Sequence, residues 1–429
     1  MDQPTAPSPA IAPAPADTQA KPDLGAPAPD TSERFRAKRD RILDAASEII
    51  NERGLRGLTF VSVADRVGMN TTSITYYFRR KEILAAAALE RTIEQISTMA
   101  QTAAEEPTVE ARIDKMLAQV LAQYRAEVDG TASPLARLSD MRSLAEPLNQ
   151  TLYDSYLAMF RQIVGFYSGN DTAQGRARNW VRTHILLDTL HWCRVWIAKY
   201  SVADYPRVHA RMMELFRNGY APDGVTGHSQ PLQVPSSTTD TDEINHDTYL
   251  RAATITLNER GYRGASVERI AAHLNLSKGS FYHHLDGKDD LVTDCFDRSY
   301  TRISLTQRAA MALDGTWLDR ITAATHALTN VQFEAVFPLL RVTALMALPT
   351  ELRTPILTRS DRITQRFAGM LTDGITEGSI RPIDPTIAAH CLFASLNSAY
   401  DFRVWAEHRP DRDTAVRLYS DVLAHGMID

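Results

Sequence analysis

Apolar side chains along this chain recur every three to four residues, the spacing of helices that bury one face. From Phe35 onward, Ile42, Ala45, Ala46, Ile49 and Ile50 align on one side of a helix that Gly54 and Gly57 then end. Thr59 is a suitable N-cap for a short second helix carrying Val63, Ala64 and Val67; Gly68 supplies a tight turn, and Asn70 caps a third helix. The pattern then returns. Tyr249, Leu250, Ala253 and Leu257 form the apolar side of a helix ended by Gly261 and Gly264. Ser266 caps one bearing Ile270, Ala271 and Leu274, and Ser277 caps the next. Each set of three helices precedes about 130 residues of further helical periodicity, so the expected fold class is all-α.

The return is a duplication. Residues 51–57, Asn-Glu-Arg-Gly-Leu-Arg-Gly, reappear at 258–264 as Asn-Glu-Arg-Gly-Tyr-Arg-Gly. The same offset holds from Leu43/Leu250 through Ala64/Ala271, Ser73/Ser280, Lys81/Lys288 and Leu84/Leu291 to Arg91/Arg298, and again at Gly219/Gly426. Arg194-Val195-Trp196 is echoed by Arg403-Val404-Trp405. Two copies of one unit, each large enough for its own core, therefore share the polypeptide. The expected organisation is a disordered Pro- and Ala-rich tail (1–32), a first three-helix domain (33–91) and a first helical body (92–220). A linker rich in Pro, Gly, Ser, Thr and Asp (221–242), a second three-helix domain (243–298) and a second helical body (299–429) follow. Such a linker reaches on the order of 70 Å extended and roughly 25 Å as a coil. That lets the chain fold back, so that helices at about 176–200 and 206–218 pack against those at about 385–405 and 412–425 as a four-helix seam.

A short helix, a four-residue turn and another short helix form the helix-turn-helix arrangement, whose second helix enters the DNA major groove. Ser277-Lys278-Gly279-Ser280-Phe281-Tyr282-His283-His284, followed by Gly287-Lys288-Asp289-Asp290-Leu291, resembles the recognition-helix pattern of the tetracycline-repressor-type (TetR) family. The first copy, Asn70-Thr71-Thr72-Ser73-Ile74-Thr75-Tyr76-Tyr77-Phe78 with Lys81-Glu82-Ile83-Leu84, departs from it at Thr72, where the family usually has Gly, and at Thr75, where it usually has Tyr. The second departs at Asn275, the usual turn Gly, and at Leu285, the usual Phe. Gly378-Ser379-Ile380-Arg381-Pro382-Ile383-Asp384 is similar to the start of the family's late, dimer-forming helices, so the resemblance covers nearly the whole chain after residue 33. It implies, in each copy, an N-terminal helix-turn-helix domain and a C-terminal helical ligand-binding and dimerisation bundle. The implied function is a ligand-responsive transcriptional repressor whose partners are a double-stranded DNA operator and a largely apolar small-molecule inducer. Because the copies have diverged, the chain is expected to act as an intramolecular pseudo-dimer on an asymmetric operator, a homodimer being the alternative.

The third helix of the second copy offers Lys278, Ser280, His283 and His284 to phosphates or base edges, and Tyr282 both a ring and a hydroxyl, beside Ser277 and Gly279. In the first copy Thr71, Thr72, Ser73, Thr75 and Tyr76 offer hydroxyls and methyl groups instead, so a different half-site is expected. Ile74, Phe78 and Phe281 belong to the packing, while Tyr77 and His284 divide between packing and groove. The capping residues Thr59, Asn70 and Ser266 complete the candidate interface. Lys81 and Lys288 stand at the start of a fourth helix, where backbone N–H groups and the ammonium can hold a phosphate, or are plain surface lysines. The basic run from Arg34 to Arg41, with Arg36, Lys38 and Arg39 as its candidates, reads as an arm that tracks phosphates or enters the minor groove, or as a solvated helix face. For the inducer, Tyr153, Tyr156, Phe160, Trp180 and His184 are the candidates in the first copy, and Phe337, Arg341 and Phe367 in the second, with Arg341 placed to meet an acidic group. Aromatic residues at this spacing also serve as ordinary core.

Composition narrows the remaining classes. With 44% hydrophobic and 23% charged residues and no apolar run of membrane-spanning length, the chain reads as a cytoplasmic protein with no membrane partner. Residues 1 to 30 lack the basic start and apolar stretch of a signal peptide. The net charge of −5 conceals an asymmetry: residues 33–91 hold 12 Lys/Arg against 8 Asp/Glu, whereas 242–298 hold 7 against 10. The acidic second module leaves open an interaction protein in which one helix-turn-helix has lost DNA binding. Three cysteines, Cys193, Cys295 and Cys391, are odd in number and lack ligand spacing, so they read as buried thiols, with no metal and no cofactor expected. No phosphate-cradling loop, His-Glu-x-x-His or nucleophile elbow is present, which argues against an enzyme.

Overall fold

The computed structural model describes residues 33–167, 172–232, 246–274 and 287–428, apart from 343, 344, 346, 347 and 349. Among the described residues all regular structure is helical, and no helix is long and apolar enough to cross a membrane. Their contacts divide the chain into two compact units, one within residues 16–168 together with 260–264, the other drawn from 169–259 and 265–429.

The first unit holds α1 (Glu33–Gly57), α2 (Phe60–Val67), α3 (Thr71–Tyr77), α4 (Lys81–Ala104), α5 (Val109–Val128) and α6 (Leu148–Val164). The apolar stripe of α1 is buried as its period requires: Ile42, Ala45, Ala46, Ile49 and Ile50 are all at most 3% exposed, against α2 and α4. Gly54, at φ 62°, breaks the helix where the repeated Asn-Glu-Arg-Gly ends. The alanines of α4, Ala86 and Ala88 among them, are fully buried and let α4 approach its neighbours closely. Asn51 ties this helix pair to the loop before α6, its amide donating to Leu135 O (2.8 Å) while its carbonyl accepts from Arg137 N (3.0 Å).

The second unit contains α7 (Ala173–Ile197), α8 (Tyr205–Asn218), α9 (His246–Gly264), α10 (Val267–His273), α11 (Lys288–Met311), α12 (Trp317–Glu334), α13 (Thr350–Glu377), α14 (Pro385–Ser398), α15 (Arg403–Glu407), α16 (Arg412–Ser420) and α17 (Val422–His425). Residues 260–264 of α9 are grouped with the first unit. The Asn51 device recurs at the equivalent Asn258, which donates to Leu339 O (2.9 Å) and accepts from Arg341 N (2.9 Å). Cys193, Cys295 and Cys391 are buried free thiols, and burial pushes the Cys295 thiol up to about 12.

α7 is buried nearly all round because it packs on α14, a helix of the other sequence copy that is itself buried from Ile387 to Leu396. Trp196 stacks on His390 at 5.0 Å, Trp192 meets Phe393, and His184 stacks on Phe402 at 4.1 Å with Nε2 3.1 Å from Ser398 O. The expected late helix at about 385–405 stops at Ser398. There Ser395 Oγ donates to Leu392 O and Ser398 Oγ to Ser395 O, competing with the helical ladder before a short 3-10 stretch over 399–402. α8 and α17 meet through backbone. Tyr220 N donates to Leu423 O and Met427 N to Phe216 O, two bonds related by the offset of the repeat, with Ala221 N on Ala424 O beside them. The first part of the expected linker is docked in this unit as well: Arg381 Nη1 donates to Asp223 Oδ1 (2.7 Å), His228 N to Asp319 Oδ1 (2.6 Å) and Gln230 Nε2 to Asp314 O (2.8 Å).

Burial, reinforced by Lys199 and opposed by Asp361 and Asp384, lowers the His390 pKa to about 4. Folding therefore holds this imidazole neutral while the unfolded chain, titrating near 6.5, takes up a proton as the pH falls. The cost is absent above about 6.5, grows below it and is complete near pH 4, reaching on the order of 3 kcal/mol. Denaturant unfolding at pH 7, 5 and 4 is expected to show His390→Phe, which keeps a ring on Trp196 but cannot titrate, losing about that much less than the parent chain. Parallel losses in both proteins would contradict this.

Candidate nucleic-acid interface

The two helices before α4 are closed by the residues best suited to it. Thr59 Oγ1 accepts from Ser62 N (3.0 Å) and Ser62 Oγ from Thr59 N (3.0 Å), a reciprocal capping box at the start of α2. Gly68, at φ 65° and ψ 39°, ends α2 in the left-handed region, and Asn70 Oδ1 accepts from Ser73 N (2.7 Å) to open α3. Thr59 and Asn70 thus act first as caps, though both remain exposed. Ile74 and Phe78 are buried, and with the inner side of α3 fixed the outer side follows: Thr71, Thr72, Thr75 and Tyr76 face solvent, Tyr76 with 76% of its surface free. Ser73 and Tyr77 are half-buried.

Phe35 of α1 organises this surface. Its ring lies 4.7 Å from Tyr77 and 6.1 Å from Tyr76, which meet each other edge-on at 5.3 Å. Tyr77 is thereby a packing residue that presents Tyr76, and burial, then the neighbouring Tyr76, raises its hydroxyl pKa. The basic run takes the form of a helix face, one of its two expected readings. It is helical from Glu33, since Arg, Ala and Lys are good helix formers and Glu33 stands in the first turn. A helix is too wide for a minor groove, so Arg36 and Lys38, both exposed, are suited to phosphates alone. Arg39 lies over the Phe78 ring, 5.6 Å from its centroid. Arg66 is held by Glu52 (2.8 Å) and Glu48 (2.6 Å), hydrogen bonds that raise its pKa. Lys81 is exposed at the start of α4, where Arg80 provides no side-chain cap for the first N–H groups.

In the second copy Gly261 repeats the break of Gly54 at φ 68°, and Ser266, half-buried, caps α10 by accepting from Arg269 N (3.2 Å). Ser277, Lys278, Gly279, Ser280, Tyr282, His283 and His284 lie outside the described residues. Lys288 is half-buried at the start of α11. What the sequence reading missed are the ties between the three-helix domains and the helical bodies. Within each domain, Arg91 also joins α4 to α1 at Asp44 (2.8 Å) and Arg298 joins α11 to α9 at Asp247 (2.6 Å), the two arginines standing at equivalent positions. Identity at both Asn51/Asn258 and Arg91/Arg298 was the available signal.

The inducer candidates divide between the core, half-buried positions and the seam. Phe160 and Phe367 are fully buried core, Tyr153, Tyr156 and Trp180 are half-buried, and His184 sits in the seam against Ser398 and Phe402. Arg341 does not await an acidic ligand, since its guanidinium is paired with Asp401 inside the protein. Phe337 lies under the Arg298 guanidinium and accepts at its carbonyl from Arg302.

The sequence profile of the bacterial regulatory proteins of the tetR family matches twice, at residues 42–88 and 250–295, and that of the tetracyclin repressor-like C-terminal domain matches 314–402. An uncharacterised HTH-type transcriptional regulator from the dhlA 5' region of Xanthobacter autotrophicus is 33% identical over 87 residues, 20% of this chain. The chain spans 42% of that relative's length. Among solved structures, the TetR family regulator PfmR from Thermus thermophilus is 22% identical with a TM-score of 0.35, covering 42% of this chain and 99% of its own. AibR, solved with isovaleryl coenzyme A and operator DNA, is 19% identical (TM-score 0.37; 42% and 97% covered), and FadR from Bacillus subtilis, solved with stearoyl-CoA, is 17% identical (0.30; 41% and 97%). The chain therefore carries the helix-turn-helix domain of the tetR family of bacterial regulatory proteins twice, and a tetracyclin repressor-like C-terminal domain after the second copy.

Proposed function

We propose that this regulator is a cytoplasmic repressor that serves as its own dimer and reads an operator of two unlike half-sites. The observation that carries the reading is the pair of offset-related bonds at Gly219 and Gly426, where helices of the two copies exchange backbone contacts as two subunits of a dimer would. The 33–91 and 243–298 segments are the DNA-binding domains and 92–220 and 299–429 the helical bodies, with α7 and α8 lent to the seam. In the first domain Thr71, Thr72, Thr75 and Tyr76 meet base edges, while Arg36, Lys38 and Lys81 meet phosphates. Lys278, Ser280, Tyr282 and His283 do the corresponding work in the second. An inducer taken up by a helical body favours a conformer whose recognition helices no longer fit successive major grooves, and the operator is released.

Light scattering is expected to give the mass of one chain, 47.8 kDa, for the free protein, and that of one chain plus one duplex for the complex. Footprinting on fragments selected from random sequence is expected to show two different half-sites whose protection weakens steeply with salt. A stable mass of twice one chain overturns the single-chain dimer. A perfect palindrome protected equally on both sides overturns the asymmetric operator, and protection of one half-site alone indicates that the acidic second module no longer binds.

A further inference from the structure

We infer that the cleft between α11 and α13 binds a small molecule bearing a multiply charged phosphoryl group. The cleft encloses about 590 Å³ and takes one arginine from α11, Arg308, and three from α13, Arg359, Arg362 and Arg366. Positions 359, 362 and 366 are three and four apart and so share one helix face, as do Thr301, Ser304 and Arg308 on α11. The sequence therefore directs four guanidinium groups into one space, and its hydroxyls with them.

Internal pairing accounts for little of this charge. Arg359 is matched by Asp297 and donates to Thr301 Oγ1 (2.7 Å), but Arg366 donates only to the neutral Ser304 Oγ (2.6 Å) and Gln307 Oε1 (3.0 Å). Arg308 and Arg362 are exposed and form no ion pair among the described residues, and Asp361, on the adjoining turn, is taken by Lys199 at 2.7 Å. Like charges 6 to 12 Å apart near a surface repel by roughly 1 to 3 kcal/mol a pair, a cost an anion reverses. The strain registers at Arg366, whose pKa is lowered by burial first and by Arg308 next. Guanidinium forks match phosphoryl oxygens in pairs, and Thr301 and Ser304 add hydroxyl groups to the lining. The concavity has the size of a small-molecule site, and Leu305, 39% exposed, with the buried Ile363 offers apolar footing for the rest of the ligand. None of the aromatic residues expected to hold an inducer lines this cleft.

The inference goes beyond the operator reading and stands or falls apart from it. Titration calorimetry of the full chain with inorganic pyrophosphate, at fixed ionic strength and against sulfate as control, is expected to show one site per chain that prefers pyrophosphate. Arg308→Gln with Arg362→Gln, both surface changes that leave unfolding unaltered, is expected to weaken that site about tenfold or more. The same variant retains its affinity for selected operator DNA when pyrophosphate is absent. Failure of pyrophosphate to bind, or equal affinity in the parent chain and the double variant, overturns the proposal. A loss of operator affinity in the variant without pyrophosphate also overturns it, by assigning the arginines to DNA, and leaves the operator reading intact.

Discussion

Alanine at Gly219 is expected to destabilise the second unit by about 3 kcal/mol or more, and alanine at Gly426 by a similar amount. Gly219 has φ +66° and a Cβ placed on it would lie 2.1 Å from Ala424 O, 2.4 Å from Ala424 C and 2.6 Å from Gly426 N. Gly426 has φ +83° and its Cβ would lie 2.4 Å from Arg217 O. All of these obstacles are backbone, which cannot rotate aside as a side chain can, so one of the two helix ends must withdraw. Withdrawal sacrifices the bonds from Ala221 N to Ala424 O (2.8 Å) and from Met427 N to Phe216 O (2.7 Å). Gly130 separates this clash from left-handed strain alone, because it has φ +68° with nothing within 4 Å of its Cβ position. Gly130→Ala is expected to cost only about 1 to 2 kcal/mol, the price of the conformation. Denaturant midpoints for the three variants measure the difference. Equal losses at Gly130 and Gly219 would show that the two chain segments do not approach as closely as the structure has them. A Gly219 variant that unfolds in two separate steps would show the seam yielding before the rest.

The parts of the fold legible in the sequence are those fixed by local chemistry. Thr59, Gly68 and Asn70 each perform the capping or turning role that their residue type predicts, and the buried faces of α1 and α3 fall on the apolar residues of the pattern. The seam was legible as a possibility from the repeat, but not in its contacts. α7 and α14 are buried on nearly every side, so their hydrophobicity has no direction from which to read a partner. The rings of Phe160 and Phe367 were ambiguous between pocket and core, because an apolar ring on a helix's inner face suits either. Arg341 looked available because the sequence separates it by sixty residues from Asp401, the acid that neutralises it. The arginines of α13 show a face in the sequence, yet only tertiary packing sets Arg308 opposite them. Phe35 carries no signal at all until α1 and α3 are placed side by side.

Transplanting the second copy's recognition residues into α3 is expected to change the operator from asymmetric to palindromic. The offset of the repeat gives the replacements as Thr71→Lys, Thr72→Gly, Thr75→Tyr and Tyr76→His, while Asn70, Ile74 and Phe78 are kept as cap and core. All four substituted side chains face solvent, so the change leaves the buried side of α3, Ile74 and Phe78, alone. The folding cost is small and identifiable: a helical glycine, the bond from Thr75 Oγ1 to Thr72 O (2.9 Å), and the edge contact of Tyr76 with Tyr77. Each mismatched base pair weakens specific binding by about 1 to 3 kcal/mol, so two altered contacts should lower affinity for the parent's selected operator by roughly a hundredfold. A sequence with the second half-site inverted in place of the first should gain in proportion. Selection from random DNA with the parent and the transplanted chain tests this directly. Recovery of the same sequences by both proteins would remove Thr71, Thr72, Thr75 and Tyr76 from base recognition. Loss of all selection by the transplanted chain would show instead that the second copy's helix carries no reading of its own, and that the first domain supplied the specificity.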